Sequence, residues 1–535
     1  KAAEKPYEIH EYNIETLKKI LAEEAGAEPA IIEAKAHCAY FEEYFEKIGA
    51  KTIIVEKDYV DHYFLDDFTG HYVCCFKPYS RCCTRLHFFK IELTLEEFEE
   101  ILKNPTEKVS PQRMREIYLG FVVVKPLPQT IIGRTCLKTF DSDGGRRHYP
   151  ITRNYRACLF GWNLEVDSLA FQEQDKVVAA CSTSALWAVL QGTGKIFHHH
   201  IPSPVEITKR ATDLLPPMPP ETRHFPSHGL SVSQMAQAIK QLDLMPHFIN
   251  PEDEQLLRGN AYSYLMGRIP ILMTFALVDY IDGKPKLRHG LHAVAITGYS
   301  LGNPEPVALK ASGKPSGLLT VASRINKLYV HDDQVGPFVR MEFPGAGNDR
   351  PLPSELERQN LLYTLSTSWP LQNGSEEVRA VPLSLMVPLF PKIRIPYSTI
   401  LDVIIELDFV IETFRANAKT SFEDRLEWEI HLTTNNEFKS KMDEANHLGW
   451  GIRRKTLMKG LPRYIWRAKA KSAGEDVIDL LFDATDIEQS TLLVHAVPYD
   501  RDLFEILRRR SKNPESVRNI KVKSIWKALD WFSKQ

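Results

Sequence analysis

Cysteine is scarce in this chain: eight residues in 535, too few for a disulfide scaffold. They are Cys38, Cys74, Cys75, Cys82, Cys83, Cys136, Cys158 and Cys181. No run of 18 or more apolar residues occurs, which excludes a membrane-spanning helix; the most apolar stretch, residues 271–278, has the length of a strand. Net charge is also nearly absent. Lysine plus arginine is 67 and aspartate plus glutamate is 69, a formal −2, so there is no global basic footprint of a nucleic-acid binder. Internal repeats and low-complexity tracts are missing. The start, KAAEKPYEIHEYN, has no apolar segment of the signal-peptide kind. These absences lead to the expectation of a reducing, cytoplasmic setting with no membrane partner.

What is present has the composition of a folded protein, 43% hydrophobic and 25% charged. The length suggests about three or four domains of roughly 150 residues. Charge is unevenly spread: residues 1–60 hold 13 acids against 8 bases, and residues 450–535 hold 18 bases against 11 acids. Apolar periodicity predicts helices around Leu17–Leu21 and over 31–48, the latter stopped by Gly49. Strand-like runs follow at 52–55, 72–76, 86–91 and 121–124. The middle alternates helices (182–191, and one capped by Ser231 or Ser233) with strands at 270–275, 293–299 and 327–331. Proline-rich stretches stand at 214–220 and 343–353, the second reading as an interdomain boundary. Beyond it the pattern predicts a helix over 356–365 and a proline-spaced linker over 381–396. Strands are expected at 426–432, 462–468 and 477–483, with closing helices at 501–510 and 516–533. The expected organisation is an α+β multidomain chain with boundaries 1–155, 156–345 and 354–535.

Three segments of the middle part carry the chemistry. In FQEQDKVVAACSTSALWAVLQ, residues 171–191, Cys181 stands where a helix begins. A helix N-terminus carries partial positive charge, which favours the nucleophilic thiolate. In HGLHAVAITGYS, residues 289–300, His292 directly precedes an apolar strand, at the rim of a rigid sheet. In NKLYVHDDQVGPF, residues 326–338, Asp332 ends another strand, where a carboxylate can orient an imidazole. Asp333 is the alternative acid.

The order Cys, His, Asp in these local frames resembles the papain-like cysteine peptidases. HAVAITGY, residues 292–299, is similar to the histidine strand of that clan. The strand-then-Asp segment is closer to the bacteriocin-processing (double-glycine leader) branch. The resemblance covers about residues 160–340. It implies a papain-like central domain between two α+β domains, and it implies roles. Cys181 is the nucleophile, His292 the general base and then acid, and Asp332 the residue that orients His292. A glutamine before the cysteine, Gln174 or else Gln172, donates to the oxyanion. No cofactor or metal is implied, and the substrate is a protein or peptide. The chain departs from the papain signature Cys-Gly-Ser/Ala-Cys-Trp, having Ala-Ala-Cys-Ser-Thr-Ser instead. A peptidase or isopeptidase passing through an acyl-enzyme is the leading expectation. A cysteine-dependent deamidase or transglutaminase uses the same residues and differs in the acceptor.

Blander readings compete. A lone cysteine is often a small core residue, and a lone histidine is usually structural. The cluster YVCCFKPYSRCCTRLHFF, residues 72–89, lacks zinc-finger spacing and reads as a β-hairpin with partly buried thiols. His198, His199 and His200 are adjacent and read as a loop. The chief rival is a non-catalytic scaffold whose basic C-terminal region binds nucleic acid or a protein partner. Its signature is RRKTLMKGLPRYIWRAKAK, residues 453–471, with eight bases and no acid around Tyr464 and Trp466.

Overall fold

The computed structural model describes residues 5–103, 110–175, 177, 178, 180–213, 229–309, 317–345, 350–359, 361, 363–372, 374–418, 424–445, 448–487, 492–512 and 523–535. The proline-rich stretch 214–220 lies outside them, as do parts of 343–353 and 516–533. The chain is a mixed α+β structure. It forms two compact units, one drawn from residues 1–251, 269–300 and 327–388, the other from 252–268, 301–326 and 389–535.

The first unit begins with a five-stranded antiparallel meander: Tyr7–Glu11, Thr52–Tyr59, Cys83–Phe89, Tyr118–Val124 and Ile132–Leu137, in that order. Helix Ile14–Ala25 is capped by Asn13 and closed by Gly26 at φ 61°. The helix expected over 31–48 is instead two, Pro29–Glu33 and Ala36–Ile48. The break falls at Lys35, which is extended and whose ammonium reaches the carbonyl of Gln129 and the carboxylate of Glu173. The expected strand over 72–76 and the hairpin over 72–89 do not form. Tyr72–Cys74 is a 3₁₀ turn, and strand Cys83–Phe89 pairs with its two sheet neighbours instead. Burial decides this: the Tyr72 ring is buried with its hydroxyl on Asp175 (2.9 Å), while Phe76 is fully exposed.

A second sheet of this unit closes on itself. Strands Ile271–Ile281, Lys284–Leu301, Ile325–Asp332, Gly336–Glu342, Leu365–Ser366 and Glu377–Leu389 follow one another as neighbours. Pairing of the first with the last completes the ring. The expected proline-spaced linker is therefore largely a strand. Its Pro382 is accommodated because the register slips there: Thr274 faces Ser384 while Phe275 faces Pro382. Proline belongs at such bulges, where no ladder donor is required. The helix expected over 356–365 shrinks to one turn, Ser354–Glu357. Leu356 and Leu361 are spent on a small core with Val278, Tyr280 and Val381 rather than on a helical stripe.

Helix Cys181–Phe197 is buried over most of its length, Ser182 through Thr193. It shares one core with Ile54, Phe89, Phe121, Leu159, Ile239 and Leu272. Close packing requires glycine at 192, where a Cβ would come within 2.7 Å of Ile151 and 2.9 Å of Pro270. Helix Val232–Lys240 starts at Ser231 with a reciprocal cap by Gln234.

The second unit contains a five-stranded sheet ordered Leu319–Thr320, Glu427–Thr434, Tyr464–Ser472, Glu475–Asp483 and Leu493–Pro498. Its longest helix, Tyr397–Ala418, carries apolar residues on several sides, so no 3.6-residue stripe stands out in its sequence. Trp466 and Trp428 are fully buried, their indole N–H groups donating to Ile395 O (2.8 Å) and Asp408 (2.8 Å). Among the described residues, no helix is long and apolar enough to cross a membrane.

Candidate active site

Cys181 is the first residue of its helix, and the position before it, Ala180, has no side chain that can cap. Asn13, Asp61, Ser110, Ser231, Asp253, Thr434 and Asp500 fill that position in other helices and take up first-turn N–H groups, whereas the helices that begin at Pro29, Ala36 and Trp450 lack a side-chain cap as this one does. The first-turn donors at Cys181 are thus left without a capping side chain. The approach to the helix is clamped from both sides. Glu173 accepts from the amides of Ile131 (2.9 Å) and Ile132 (3.0 Å) and pairs with Lys35. Asp175 accepts from the Val177 amide (2.8 Å) and the Tyr72 hydroxyl (2.9 Å), and Thr208 donates to Val178 O (2.7 Å). On the far side, Ser182 Oγ accepts from the Leu230 amide (2.7 Å).

The thiol meets the histidine strand. Cys181 Sγ lies 4.0 Å from Leu291 O, and the amides of Ala293 and Ser182 face it. His292, between those two strand residues, is positioned by the sheet opposite Phe275, ring centroids 5.8 Å apart. Its Nδ1 is buried with no hydrogen-bond partner among the described residues. No hydrogen bond joins the Cys181 thiol and the His292 ring.

Asp332 ends its strand as expected, but both of its carboxylate oxygens are taken. Oδ1 accepts from the Gln334 amide (3.0 Å) and Oδ2 from the Trp369 indole N–H (2.5 Å). The Trp369 ring lies against the His292 ring, centroids 4.2 Å apart and tilted by 58°. The expected Asp332–His292 hydrogen bond is therefore replaced by a relay in which Trp369 touches both. Trp369 was not legible as a site residue. The only signal is generic: a tryptophan in a proline-bearing segment whose single N–H needs an acceptor. Asp333, the alternative acid, is buried and accepts from Gln334 Nε2 (3.2 Å), while its carbonyl oxygen faces His37 Nε2 (3.0 Å). Gln174 is half-buried and Gln172 is buried; no hydrogen bond among the described residues joins either to Cys181, His292 or Asp332.

Electrostatics give a neutral pair. Burial pushes the Cys181 thiol up to about 12; the nearby Asp333 adds to the rise, and the Ala293 and Ser182 amides oppose it. Burial, then the Arg288 guanidinium, lowers His292 to about 4. The helix start lowers the thiol through the Ser182 amide, as expected from sequence, and desolvation outweighs it. Burial raises both Asp332 and Asp333, and in Asp333 the repulsion by Asp332 adds to it.

Other candidates have local partners. His199 is bonded to Thr193 (2.8 Å) and His200 O (2.6 Å), and His200 to Glu206 (3.1 Å). In the cysteine cluster, Cys75 lies 3.8 Å from His71 Nε2. No group of three or more His, Cys, Asp or Glu side chains among the described residues is placed to hold a metal ion. In the basic segment, Tyr464 and Trp466 are buried and so present no stacking face, Arg467 is held by Asp479 (2.7 Å), and Lys469 pairs with Asp476.

Comparison of the sequence with models of known protein families and with curated proteins finds no match.

Proposed function

We propose that the chain is a papain-like cysteine hydrolase, a peptidase or isopeptidase, with Cys181 as nucleophile and His292 as its proton acceptor. In the reaction His292 takes the thiol proton as Cys181 Sγ adds to the amide carbonyl. The tetrahedral oxyanion is met by N–H groups at the uncapped start of the Cys181–Phe197 helix. Collapse breaks the C–N bond, His292 returns its proton to the leaving amine, and water then releases the acyl group with His292 again as base. Asp332 steadies the imidazolium in this scheme.

The observation that carries the reading is a thiol at an uncapped helix N-terminus set against the strand of a half-buried histidine, whose buried Nδ1 has no partner among the described residues. Buried polar atoms are usually paired, and this one belongs to the residue between Leu291, whose carbonyl the thiol faces, and Ala293, whose amide faces the thiol. The test uses p-nitrophenyl acetate as an activated acyl donor. Wild-type protein is expected to turn it over repeatedly. Cys181→Ala is expected to lose turnover by about 10³-fold or more, and His292→Ala by about 10²–10⁴-fold. Turnover that survives in Cys181→Ala refutes the assignment.

A further inference from the structure

We infer that Trp369 is a positioning residue that holds Asp332 off His292 and so keeps the site at rest. Activation is then an exchange of partners, in which the Asp332 carboxylate leaves the Trp369 indole N–H and takes a ring N–H of His292. The inference rests on the hydrolase reading and concerns the regulation of that same site.

The geometry defines which bond must exchange. One Asp332 oxygen accepts from the Gln334 amide of its own turn (3.0 Å) and the other from Trp369 (2.5 Å), while the Val335 amide also faces the carboxylate. The ring of Trp369 lies at 4.2 Å from that of His292, so the displaced partner and the new one are already neighbours. Nδ1 of His292 is buried without a partner among the described residues, and no hydrogen bond engages its other ring nitrogen, so one nitrogen can take Asp332 while the other serves the thiol. The segment is latched by Arg288: its Nη2 donates to Pro370 O (3.0 Å), and its guanidinium grips Asp279 through two bonds of 2.7 Å. Ser375 adds a third bond to Asp279 (2.9 Å). Leu371, two residues past Trp369, and Leu291, whose carbonyl faces the thiol, are 55% and 61% exposed. An apolar substrate side chain seated on Leu371 bears on the latched segment, and one seated on Leu291 bears on the thiol strand. The charged groups around His292 are Arg288 on its own strand and Asp332 beyond the indole; Asp333 and Asp332 act on the thiol.

The experiment follows Cys181 alkylation by iodoacetamide against pH, read by peptide mass mapping, in the full chain. Trp369→Phe keeps an aromatic ring against His292 and removes only the N–H. It is expected to alkylate about tenfold faster at pH 7, with its pH midpoint moved down by about one unit, since thiolate fraction rises tenfold per unit. Trp369→Phe combined with Asp332→Asn is expected to return to the wild-type rate. Equal or slower alkylation in Trp369→Phe overturns the inference, and so does a gain that persists with Asp332→Asn. If Trp369→Phe does not fold, Trp369→Leu, which fills the space without an N–H, gives the same comparison. His292→Ala separates the two levels. A Cys181 profile indifferent to His292 in every background defeats the hydrolase reading itself. A profile that needs His292 but ignores Trp369 defeats only the positioning role.

Discussion

His292 and His331 stand on neighbouring strands of one closed sheet, and their surroundings are opposite. His331 is buried with both ring nitrogens engaged. The Phe338 amide donates to Nδ1 (3.1 Å), so the proton must sit on Nε2, which donates to Leu169 O (3.0 Å). His292 is less enclosed, yet its Nδ1 has nothing to bond. Burial lowers both, to about 3 for His331 and about 4 for His292, so titration alone does not tell them apart. Hydrogen-bond satisfaction does. One ring is a strut between a strand and the segment leading to the cysteine; the other has no hydrogen bond among the described residues to fix it.

The strongest way to break this contrast is to remove the strut. His331→Ala leaves the buried Phe338 amide unpaired, takes from Leu169 O its shorter donor and opens a cavity, each costing about 1–3 kcal/mol. A loss of roughly 3–5 kcal/mol in urea unfolding is expected on that basis. A loss below about 1 kcal/mol would mean that the two histidines are not distinguished by their bonding.

That distinction bears on which residues of the candidate site stood out in the sequence. Cys181, His292 and Asp332 were legible because each abuts a regular element whose apolar pattern is strong: a helix start, a strand start and a strand end. Trp369 was not, because it lies in an irregular segment after the two-residue strand Leu365–Ser366, where periodicity carries no information. The same limit hid the strand Glu377–Leu389, whose prolines read as a linker until the slip at Pro382 is seen. Strand Tyr464–Ser472 shows what a charge run becomes in the fold. Its bases alternate with Trp466, Ala468 and Ala470, so a charge run in sequence is one face of a sheet in space.

A smaller effect tests the acids beside the two histidines. Asp333 is raised well above its ordinary value near 3.8, by burial first and by Asp332 second. The folded chain therefore holds a proton that the unfolded chain releases, and stability from this group is present at low pH and lost as pH rises past 3.8 through the raised value. His331 has the opposite sign: its contribution is whole above 6.5 and lost as pH falls from there toward about 3. Asp333→Asn removes the carboxylate's cost without removing its acceptor for Gln334. It is expected to gain about 1–2 kcal/mol at pH 7 and little at pH 4. Equal effects at the two pH values, measured by urea unfolding, would show that Asp333 is not a buried acid held neutral.

The smallest expected effect is the sharpest test of the contrast. His292→Phe replaces a ring that has an unbonded buried nitrogen by one of similar size without polar atoms. No hydrogen bond is forfeited, and the orphan's desolvation cost is relieved, while the contacts with Phe275 and Trp369 are between rings and survive the exchange. Stability is expected to change by less than about 1 kcal/mol, or to rise, even as acyl transfer to water is lost. A residue that costs nothing in stability to remove and everything in turnover is one that the fold does not need for itself. If His292→Phe instead destabilises as much as His331→Ala, then His292 is bonded in solution as His331 is, and its open nitrogen is not a mark of function.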